Sequence, residues 1–401
     1  MTVPGTVRTP VRVPRSIHAG LFALTASIGM IFALVARLQD EHGFATSALG
    51  VIAAAAFFAA VVAQLALAPL ADRGHARALM VGALLAGAGA ATWLAVATEA
   101  WQFVGGRALS GLAYGAYAPA ARAVVAAADP ARAGRRLGTL AGVETAGFIT
   151  GPGLAGLLVD RIGVDAPFVG AAVVAVALVW PLLRLPPGGG ADHPVPGAAV
   201  VAAPRGARAL LARREVVAAT CLAAAFQLPA GLYEAIWARF MDDLGASTLF
   251  IGVSLTFYGI PFALTAPVAG RLSDRYGPYR VLPVALAVVV PLTVVYGWLT
   301  VPLTLMALAS VEAVANGAAI PAAQAAMARA TGPGEAATGQ GLAAAAGQVA
   351  AGLAALVAAP VYERVGPEAT FAVVAAGVTL LAAVGFALAR RPRGAVEPAV
   401  T

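Results

Sequence analysis

Long apolar runs recur along the whole chain, and short polar segments separate them. A membrane-spanning helix needs about 20 mostly apolar residues, because each residue adds ~1.5 Å and the hydrocarbon core is roughly 30 Å thick. Runs of this length predict six spans at 17–36, 47–70, 78–97, 103–123, 137–159 and 166–185, and six more at 216–239, 249–272, 281–301, 303–328, 338–362 and 370–389. The pattern predicts an all-α membrane protein with 12 helices.

The two sets of six spans are separated by a segment rich in proline, glycine and arginine. Such a composition is typical of a flexible linker. We therefore expect an N-terminal six-helix bundle over 1–185, a cytoplasmic central linker over 186–214, and a C-terminal six-helix bundle with a short tail over 215–401.

Short motifs repeat between the two sets. The segment APLADRGHAR follows the second span, and GRLSDRYGPYR follows the eighth, which places Asp274 at 274 − 72 = 202 residues after Asp72. The same offset separates Pro119 from Pro321. Both copies of each motif fall on the same predicted side of the membrane. The repeat is therefore parallel, which is one of the known plans of secondary transporters.

Composition agrees with a lipid environment and excludes several classes of function. Hydrophobic residues make up 60% of the chain and charged residues 11%, whereas soluble domains carry about 25% charged residues. The net charge of +7 comes from arginines in short loops, which argues against nucleic-acid binding. The single cysteine, Cys221, excludes a multi-cysteine metal site. No motif predicts an enzyme, a metal or a cofactor.

Arginine placement predicts the orientation. Cytoplasmic loops of membrane proteins carry an excess of basic residues. With the N-terminus inside, one side holds most loop arginines: Arg73, Arg77, Arg132, Arg135, Arg136, Arg205, Arg208, Arg213, Arg214, Arg271, Arg275, Arg280, Arg390, Arg391 and Arg393. Outer loops hold only four arginines and most of the acids. We expect both termini in the cytoplasm.

The motifs that carry a family resemblance lie in both halves. GRLSDRYGPYR at 270–280 and RALSG at 107–111 resemble motifs of the major facilitator superfamily (MFS), and the resemblance covers essentially the whole chain. It implies the MFS fold and a gating role for the loop residues Asp72, Arg73, Asp274 and Arg275. The first-half loop departs from the pattern, because Ala68 replaces a glycine and one residue is missing after Arg73.

The fifth span carries a further motif, GFITGPGLAG. It is similar to a motif of the twelve-helix drug/proton antiporter branch, although Ala155 replaces one glycine. The matching residues are Gly147, Gly151, Pro152 and Gly156. The resemblance favours efflux. Packing alone is the alternative, because small residues four positions apart let helices approach closely in lipid.

Four ionisable residues stand out within the predicted spans: Arg107, Glu144, Glu234 and Glu312. Each costs roughly 2.5–3.5 kcal/mol at a helix centre, so such groups usually face a cavity or a partner. In the resembled family, spans one, four, seven and ten line the central cavity, and spans two, five, eight and eleven form the interface between halves. Arg107, Glu234 and Glu312 would then face the cavity, and Glu144 the interface.

Helical spacing adds polar neighbours to these charges. Candidate cavity-lining residues are Tyr114, Tyr117, Gln227, Tyr233 and Asn316. Arg107 can pair with one glutamate, which leaves two carboxylates without a cation. An unpaired carboxylate in a low dielectric favours its neutral form and can exchange a proton. The hypothesis is that Glu312 or Glu234 carries a proton and that Arg107 perturbs whichever is near.

These observations predict a transporter that works by alternating access. The first interpretation is proton-coupled efflux of drug-like or metabolite compounds. The alternative is a proton-coupled importer of sugars or organic acids, although sugar sites would need more polar side chains and anion import more cations than Arg107. The expected partners are a small-molecule substrate, protons and the lipid bilayer. The expected protein is a monomer that crosses the cell inner membrane several times.

Overall fold

The computed structural model describes residues 13–128, 132–185, 204–332 and 334–390, and all regular structure in these ranges is helical. The twelve long helices are α1 Arg15–His42, α2 Thr46–Leu70, α3 Ala76–Ala95, α4 Ala100–Ala128, α5 Ala133–Ile162, α6 Ala166–Leu183, α7 Arg214–Asp243, α8 Thr248–Tyr276, α9 Pro278–Tyr296, α10 Pro302–Ala330, α11 Ala336–Val365 and α12 Pro367–Ala389. The prediction of twelve helices is confirmed.

Eleven of the described helices are long and apolar enough to cross a membrane by length and composition. The helix outside this set is α4, which has 29 residues but carries four glycines and the arginines Arg107 and Arg122. These residues lower its mean hydropathy while its length still suffices for a bilayer of roughly 30 Å. The helix outside the set of eleven is therefore one that holds buried charge.

Helix pairing repeats between the two halves, which are α1–α6 and α7–α12. In the first half α2 packs on α4, α1 on α5 and α3 on both α4 and α6. The second half repeats these pairs as α8 on α10, α7 on α11 and α9 on both α10 and α12. This correspondence agrees with the repeat of the loop motifs.

Two helix pairs make the most extensive contacts between the halves, α2 with α11 and α5 with α8. The α2–α11 contact is close because glycines face it: a Cβ at Gly50 would overlap Ala355, and a Cβ at Gly352 would lie 2.9 Å from the Phe58 ring. The expectation that spans two, five, eight and eleven form the interface is confirmed.

The halves touch at one end of the molecule. We call the end where α1 begins and α12 ends the terminal end, and the opposite end the distal end. The contact at Gly50 lies in the distal part of α2, and the contact between Gly352 and Phe58 lies near the middle of α11 and α2. Towards the terminal end, a Cβ at Gly138 or Gly142 on α5, or at Gly270 on α8, would meet nothing within 4 Å. The bundle is thus closed at the distal end and open towards the terminal end.

Part of the central linker is helical. A short helix, Pro204–Leu211, precedes α7, and residues 186–203 of the predicted linker lie outside the described residues. Arg213 then anchors α7 to the α10–α11 loop through bonds of 2.6 and 2.8 Å to Glu335. These bonds from the Arg213 guanidinium hold the pKa of the Glu335 carboxyl below its usual value.

Candidate transport site

A buried ion pair joins the two halves. Arg107 of α4 donates from Nη2 to Glu234 Oε1 of α7. Arg107 is 1% exposed and Glu234 9% exposed. Taking both charges out of water is costly, and their mutual attraction offsets that cost only while the pair stays together. The two charges can therefore separate only if each gains another partner or water. We call the Arg107–Glu234 ion pair the lock.

The surroundings of this lock are dry and tight. The Arg107 guanidinium carbon lies 5.7 Å from the centroid of the Phe32 ring, a cation–π distance. A cavity of only about 10 Å³ lies beside the pair, which is the lower limit for one water molecule. Arg107 Nη1 has no hydrogen-bond partner among the described residues. The passage between the halves is sealed at this level.

A second buried carboxylate, Glu312 of α10, sits among neutral donors. Tyr233 donates to its two oxygens at 2.7 and 2.8 Å, and Tyr296 donates at 2.9 Å. Asn316 Nδ2 donates to Glu312 at 3.1 Å and to the Tyr258 hydroxyl at 2.9 Å. These five residues form the Glu312 cluster, which is built from α7, α8, α9 and α10.

Glu312 is 0% exposed and has no cation within salt-bridge distance among the described residues. Burial without a counter-charge penalises the ionised form, while hydroxyl and amide donors can satisfy the oxygens without adding charge. Asn316 Oδ1 is also buried and lacks a partner in the described part of the chain. Glu312 is thus a buried carboxyl group whose hydrogen-bond donors are all neutral among the described residues.

A π-helical turn at Tyr233–Trp237 positions both sites. The extra residue of a π turn changes the direction in which the following side chains point, and such turns are frequent at functional sites. Tyr233 reaches Glu312 within the second half, while the next residue, Glu234, reaches Arg107 in the first half. Two consecutive residues of the chain, Tyr233 and Glu234, therefore belong to the Glu312 cluster and to the lock.

The fourth predicted charge, Glu144, belongs to a separate pair within the first half. Arg122 of α4 donates to its two oxygens at 3.2 and 2.8 Å, and the Tyr114 hydroxyl also bonds to it. The expectation that Arg107 is the sole cation available to three glutamates is wrong, because Arg122 also lies on α4. Its position near the end of the predicted span 103–123 made it resemble a loop residue.

Four of the five cavity-lining candidates are tyrosines or Asn316, and they differ in what surrounds them. Tyr233 and Asn316 belong to the Glu312 cluster, and Tyr114 is half-buried beside Glu144. Tyr117, in contrast, is fully buried, and its hydroxyl donates to the Ile17 carbonyl at 3.0 Å. The structure thus places Tyr117 in the packing of α1 on α4, away from any open surface.

Gln227 is half-buried on α7 and packs against α11. A Cβ at Gly347 of α11 would lie 2.8 Å from Cγ of Gln227. Gln227 lies seven positions before Glu234, as the predicted stripe requires. Gly231, between them on that stripe, packs so closely on Ala351 that a Cβ would overlap it. The side of α7 that carries Gln227 and Gly231 therefore packs against α11.

The predicted gating loops lie at the terminal end. Gly74 and Gly277 have φ of 86° and 85°, so each motif ends its helix in a left-handed turn that favours glycine. Arg73, Asp274 and Arg275 are exposed, and the Arg275 guanidinium lies 5.2 Å from the Tyr276 ring centroid. The side chain of Asp72 lies outside the described residues.

The fifth-helix motif packs on both halves. A Cβ at Gly147 or Gly151 would overlap Thr25 or Ala26 of α1. A Cβ at Gly156 would lie 3.0 Å from Leu249 of α8. Small residues let α5 approach two helices at once, as expected for helix contacts in lipid.

A side chain from the second half enters α5 at Pro152. The Thr256 hydroxyl of α8 donates to the Ile149 carbonyl at 2.7 Å and accepts from the Gly153 N–H at 3.1 Å. Ile149 and Gly153 are four residues apart, the spacing of a helical hydrogen bond. Proline disturbs that ladder, so a hydroxyl can insert there. Thr256 therefore links the halves through the backbone of α5.

A charged cluster closes the distal end, and sequence reasoning missed it. Arg239 of α7 bonds to Asp40 of α1 at 2.5 Å and also pairs with Asp243, which accepts a 2.7 Å bond from Tyr362. Nearby, the Ser47 N–H donates to Glu363 at 3.2 Å. Arg239 and Asp40 appear in sequence as ordinary loop charges, so no local signal reveals that they meet across the halves.

Twelve long helices in the described residues, eleven of them apolar enough to cross a membrane, form two similar six-helix halves that meet around buried ionic groups. This arrangement defines a multi-pass transporter of small molecules in the cell inner membrane. The sequence model described as Major Facilitator Superfamily matches residues 17–233 and 231–400. The chain therefore belongs to the major facilitator superfamily.

Comparison with known proteins supports this membership. The chain is 27% identical over 316 residues to the multidrug resistance protein MdtG of Klebsiella pneumoniae (strain 342). The aligned residues cover 76% of this chain and 76% of that protein. Its fold is similar to the crystal structure of the nucleoside transporter NupG (D323A mutant), with a TM-score of 0.78, 14% identity, and coverage of 94% of this chain and 100% of that one. The crystal structure of a bacterial homologue of the human lysosomal transporter Spinster matches with a TM-score of 0.75 and 14% identity. The match covers 95% of this chain and 97% of that one.

Proposed function

We propose that this transporter exports drug-like compounds in exchange for protons. Support for export comes from the relatives named as multidrug resistance proteins, which favour efflux over nutrient import. Support for proton coupling comes from Glu312, which is fully buried and lacks a cationic partner among the described residues. That carboxylate is the single observation on which the coupling proposal rests.

In this proposal the proton and the substrate alternate at the Glu312 cluster. Glu312 takes up a proton when the distal end is open and keeps it while the halves close there. It then loses the proton towards the terminal end before the next substrate binds. The donors Tyr233, Tyr296 and Asn316 keep the carboxyl oxygens hydrogen-bonded in either state. One proton thus enters for each export cycle.

The Arg107–Glu234 lock sets which end is open. The pair is present while the distal end is closed, and separating the halves there would separate its two charges. Because Tyr233 and Glu234 are adjacent, a change in the Tyr233–Glu312 bonds moves the backbone that holds the lock. We propose that this adjacency transmits protonation of Glu312 to the interface between the halves. Glu144 on α5 would have a conformational role.

The positive-inside distribution puts the terminal end in the cytoplasm. The arrangement described is then open inwards, and the loop residues Arg73, Asp274 and Arg275 lie at the cytoplasmic mouth, where they would act as gates. We propose a monomer, since one chain supplies both halves of the passage. The bundles at 1–185 and 215–401 would move as separate domains around the linker.

The experiment measures drug export and proton flux together. Expression in a pump-deficient bacterial host should lower ethidium accumulation and raise tolerance to it. In everted vesicles with an acid interior, adding ethidium should release protons. Glu312→Gln should abolish proton release, because the amide cannot exchange a proton.

The matched control is Glu99→Gln, which neutralises an exposed carboxylate in the α3–α4 loop. It should export and release protons as the native protein does. Proton release that persists in Glu312→Gln would remove this residue from the coupling. Failure to lower accumulation of any compound in a broad panel, together with nutrient uptake, would contradict the export proposal.

A further inference from the structure

A groove on the outer, lipid-facing side of the second half runs between α9 and α10 and reaches the end of α8. Its volume is about 620 Å³, within the range of roughly 300–1,000 Å³ that small-molecule sites occupy. The walls are almost wholly apolar, with Val284 of α9 and Val311 and Val314 of α10 exposed by 68%, 53% and 45%. The groove is separate from the transport passage.

The first half has bulkier side chains at two of the corresponding positions. At the repeat offset of 202, Leu109 corresponds to Val311 and Leu112 to Val314. The Leu109 side chain comes within 3.7 Å of a Cβ built at Gly89, so it covers the contact between α3 and α4. Valine is shorter than leucine, which leaves room between α9 and α10. The α10 wall of the groove therefore carries smaller side chains at these two positions than α4 does.

One end of the groove is basic. Arg280 lines its mouth, is exposed, and has no acid within 4.0 Å among the described residues. Tyr276 lines the same mouth, and Arg275 stacks on its ring at 5.2 Å. Asp274 lies nearby in sequence but does not line the groove. Arg275 does not line the groove either, so the mouth offers one guanidinium and one phenol to an anionic group.

The dimensions match one leaflet of a bilayer. Arg280 and Val288 both line the groove, and eight helical residues span ~12 Å along the axis. Half of a hydrocarbon core of roughly 30 Å is about 15 Å. An acyl chain lying along α9 would thus run from headgroup depth at Arg280 towards the middle of the membrane.

We infer that this groove binds an anionic glycerophospholipid, with an acyl chain between α9 and α10 and the headgroup phosphate on Arg280. Charge complementarity selects this occupant, since basic pockets between membrane helices bind anionic headgroups. A lipophilic transport substrate is the competing occupant, but a neutral or cationic compound gains nothing from an unpaired arginine.

Native mass spectrometry of the purified, delipidated protein tests the inference by titration with dioleoyl-phosphatidylglycerol or dioleoyl-phosphatidylcholine. The native protein should bind its first phosphatidylglycerol more tightly than phosphatidylcholine. Arg280→Gln should weaken phosphatidylglycerol binding about fivefold, the effect of one basic residue near an anionic lipid. Val284→Trp should fill the groove and weaken binding of both lipids.

Two control variants sit elsewhere on the surface. Arg364→Gln removes an exposed arginine at the distal end, and Leu380→Trp enlarges a side chain of α12 that is 66% exposed. Both should bind lipid as the native protein does. Unchanged phosphatidylglycerol affinity in Arg280→Gln and Val284→Trp would overturn the inference. Loss of ethidium binding in Val284→Trp with lipid binding intact would assign the groove to the transported compound and also overturn it.

Discussion

At the residue scale, the charges buried in apolar helices are the groups on which the proposed function rests. Arg107, Glu234, Glu312 and Glu144 were predictable because an ionisable residue within a long apolar run is costly and therefore conspicuous. Their partners were not predictable, since pairing depends on how the halves meet. The structure pairs Arg107 with Glu234 and leaves Glu312 among neutral donors. Sequence spacing along one helix contains no information on that choice.

The lock makes a prediction about stability. Glu234→Gln should destabilise the purified protein by about 3–5 kcal/mol, because it leaves the Arg107 charge buried and uncompensated. Adding Arg107→Gln to that variant should recover much of the loss, since neither charge then remains. Thermal unfolding in detergent measures both effects.

An exposed pair provides the comparison. Arg37 and Glu41 are one helical turn apart on α1 and bond at 2.7 Å. Glu41→Gln should cost no more than about 1 kcal/mol, the usual value of a surface ion pair. Equal losses in Glu41→Gln and Glu234→Gln would mean that burial of the lock contributes nothing, which would contradict the account.

At the element scale, the apolar runs located the helices but not their ends. The run at 103–123 belongs to a helix over Ala100–Ala128, and the run at 137–159 to one over Ala133–Ile162. Helices continue into the headgroup region, where polar residues are tolerated, so hydropathy underestimates their length. The π turn at Tyr233–Trp237 has no signal in the hydropathy pattern.

Helix α5 yields a prediction on glycine packing. Gly151→Ala should lower the melting temperature, because a Cβ there overlaps the Ala26 backbone of α1. Gly142→Ala on the same helix is the control: its Cβ meets nothing within 4 Å. There alanine should be neutral or stabilising by up to about 1 kcal/mol, the difference in helix propensity. Similar melting temperatures for both variants would contradict close packing of α1 on α5.

The Thr256 link yields a second prediction at this scale. Thr256→Val keeps the shape but removes the hydroxyl, which leaves the Ile149 carbonyl and the Gly153 N–H without this partner. We expect a loss of roughly 1–3 kcal/mol, the cost of a buried polar group left unsatisfied. Thr256→Ser keeps the hydroxyl and should lose less. If Thr256→Val unfolds at the native temperature, the link between α5 and α8 is not a stabilising one.

At the scale of the whole molecule, the repeat and the superfamily could be predicted from the loop motifs and from RALSG at 107–111. The division into 1–185, 186–214 and 215–401 stays a prediction. The distal contacts could not be predicted, because Arg239 and Asp40 are 199 residues apart and look like loop charges. Together with the lock, these contacts hold one end of the bundle closed.

The distal cluster should bias the molecule towards the arrangement described here. Asp40→Asn removes the carboxylate that meets Arg239 across the halves at 2.5 Å. Because Arg239 keeps Asp243 as a partner, the folded state should remain stable while the distal end opens more often. Faster labelling of a cysteine placed at Ser47, in a Cys221→Ala background, measures that opening. Unchanged labelling would show that the cluster does not hold the end closed.

The central claim is that the halves rock about the Arg107–Glu234 lock, so that the two ends open in turn. The most direct measurement is of spin-label distances in a Cys221→Ala background, with one pair at Ala45 and Val365 across the distal end. A second pair at Gly134 and Gly341 spans the terminal end. Introducing Glu234→Gln should lengthen the distal distance and shorten the terminal one. Distances that stay unchanged, or that change in the same direction at both ends, would contradict the claim.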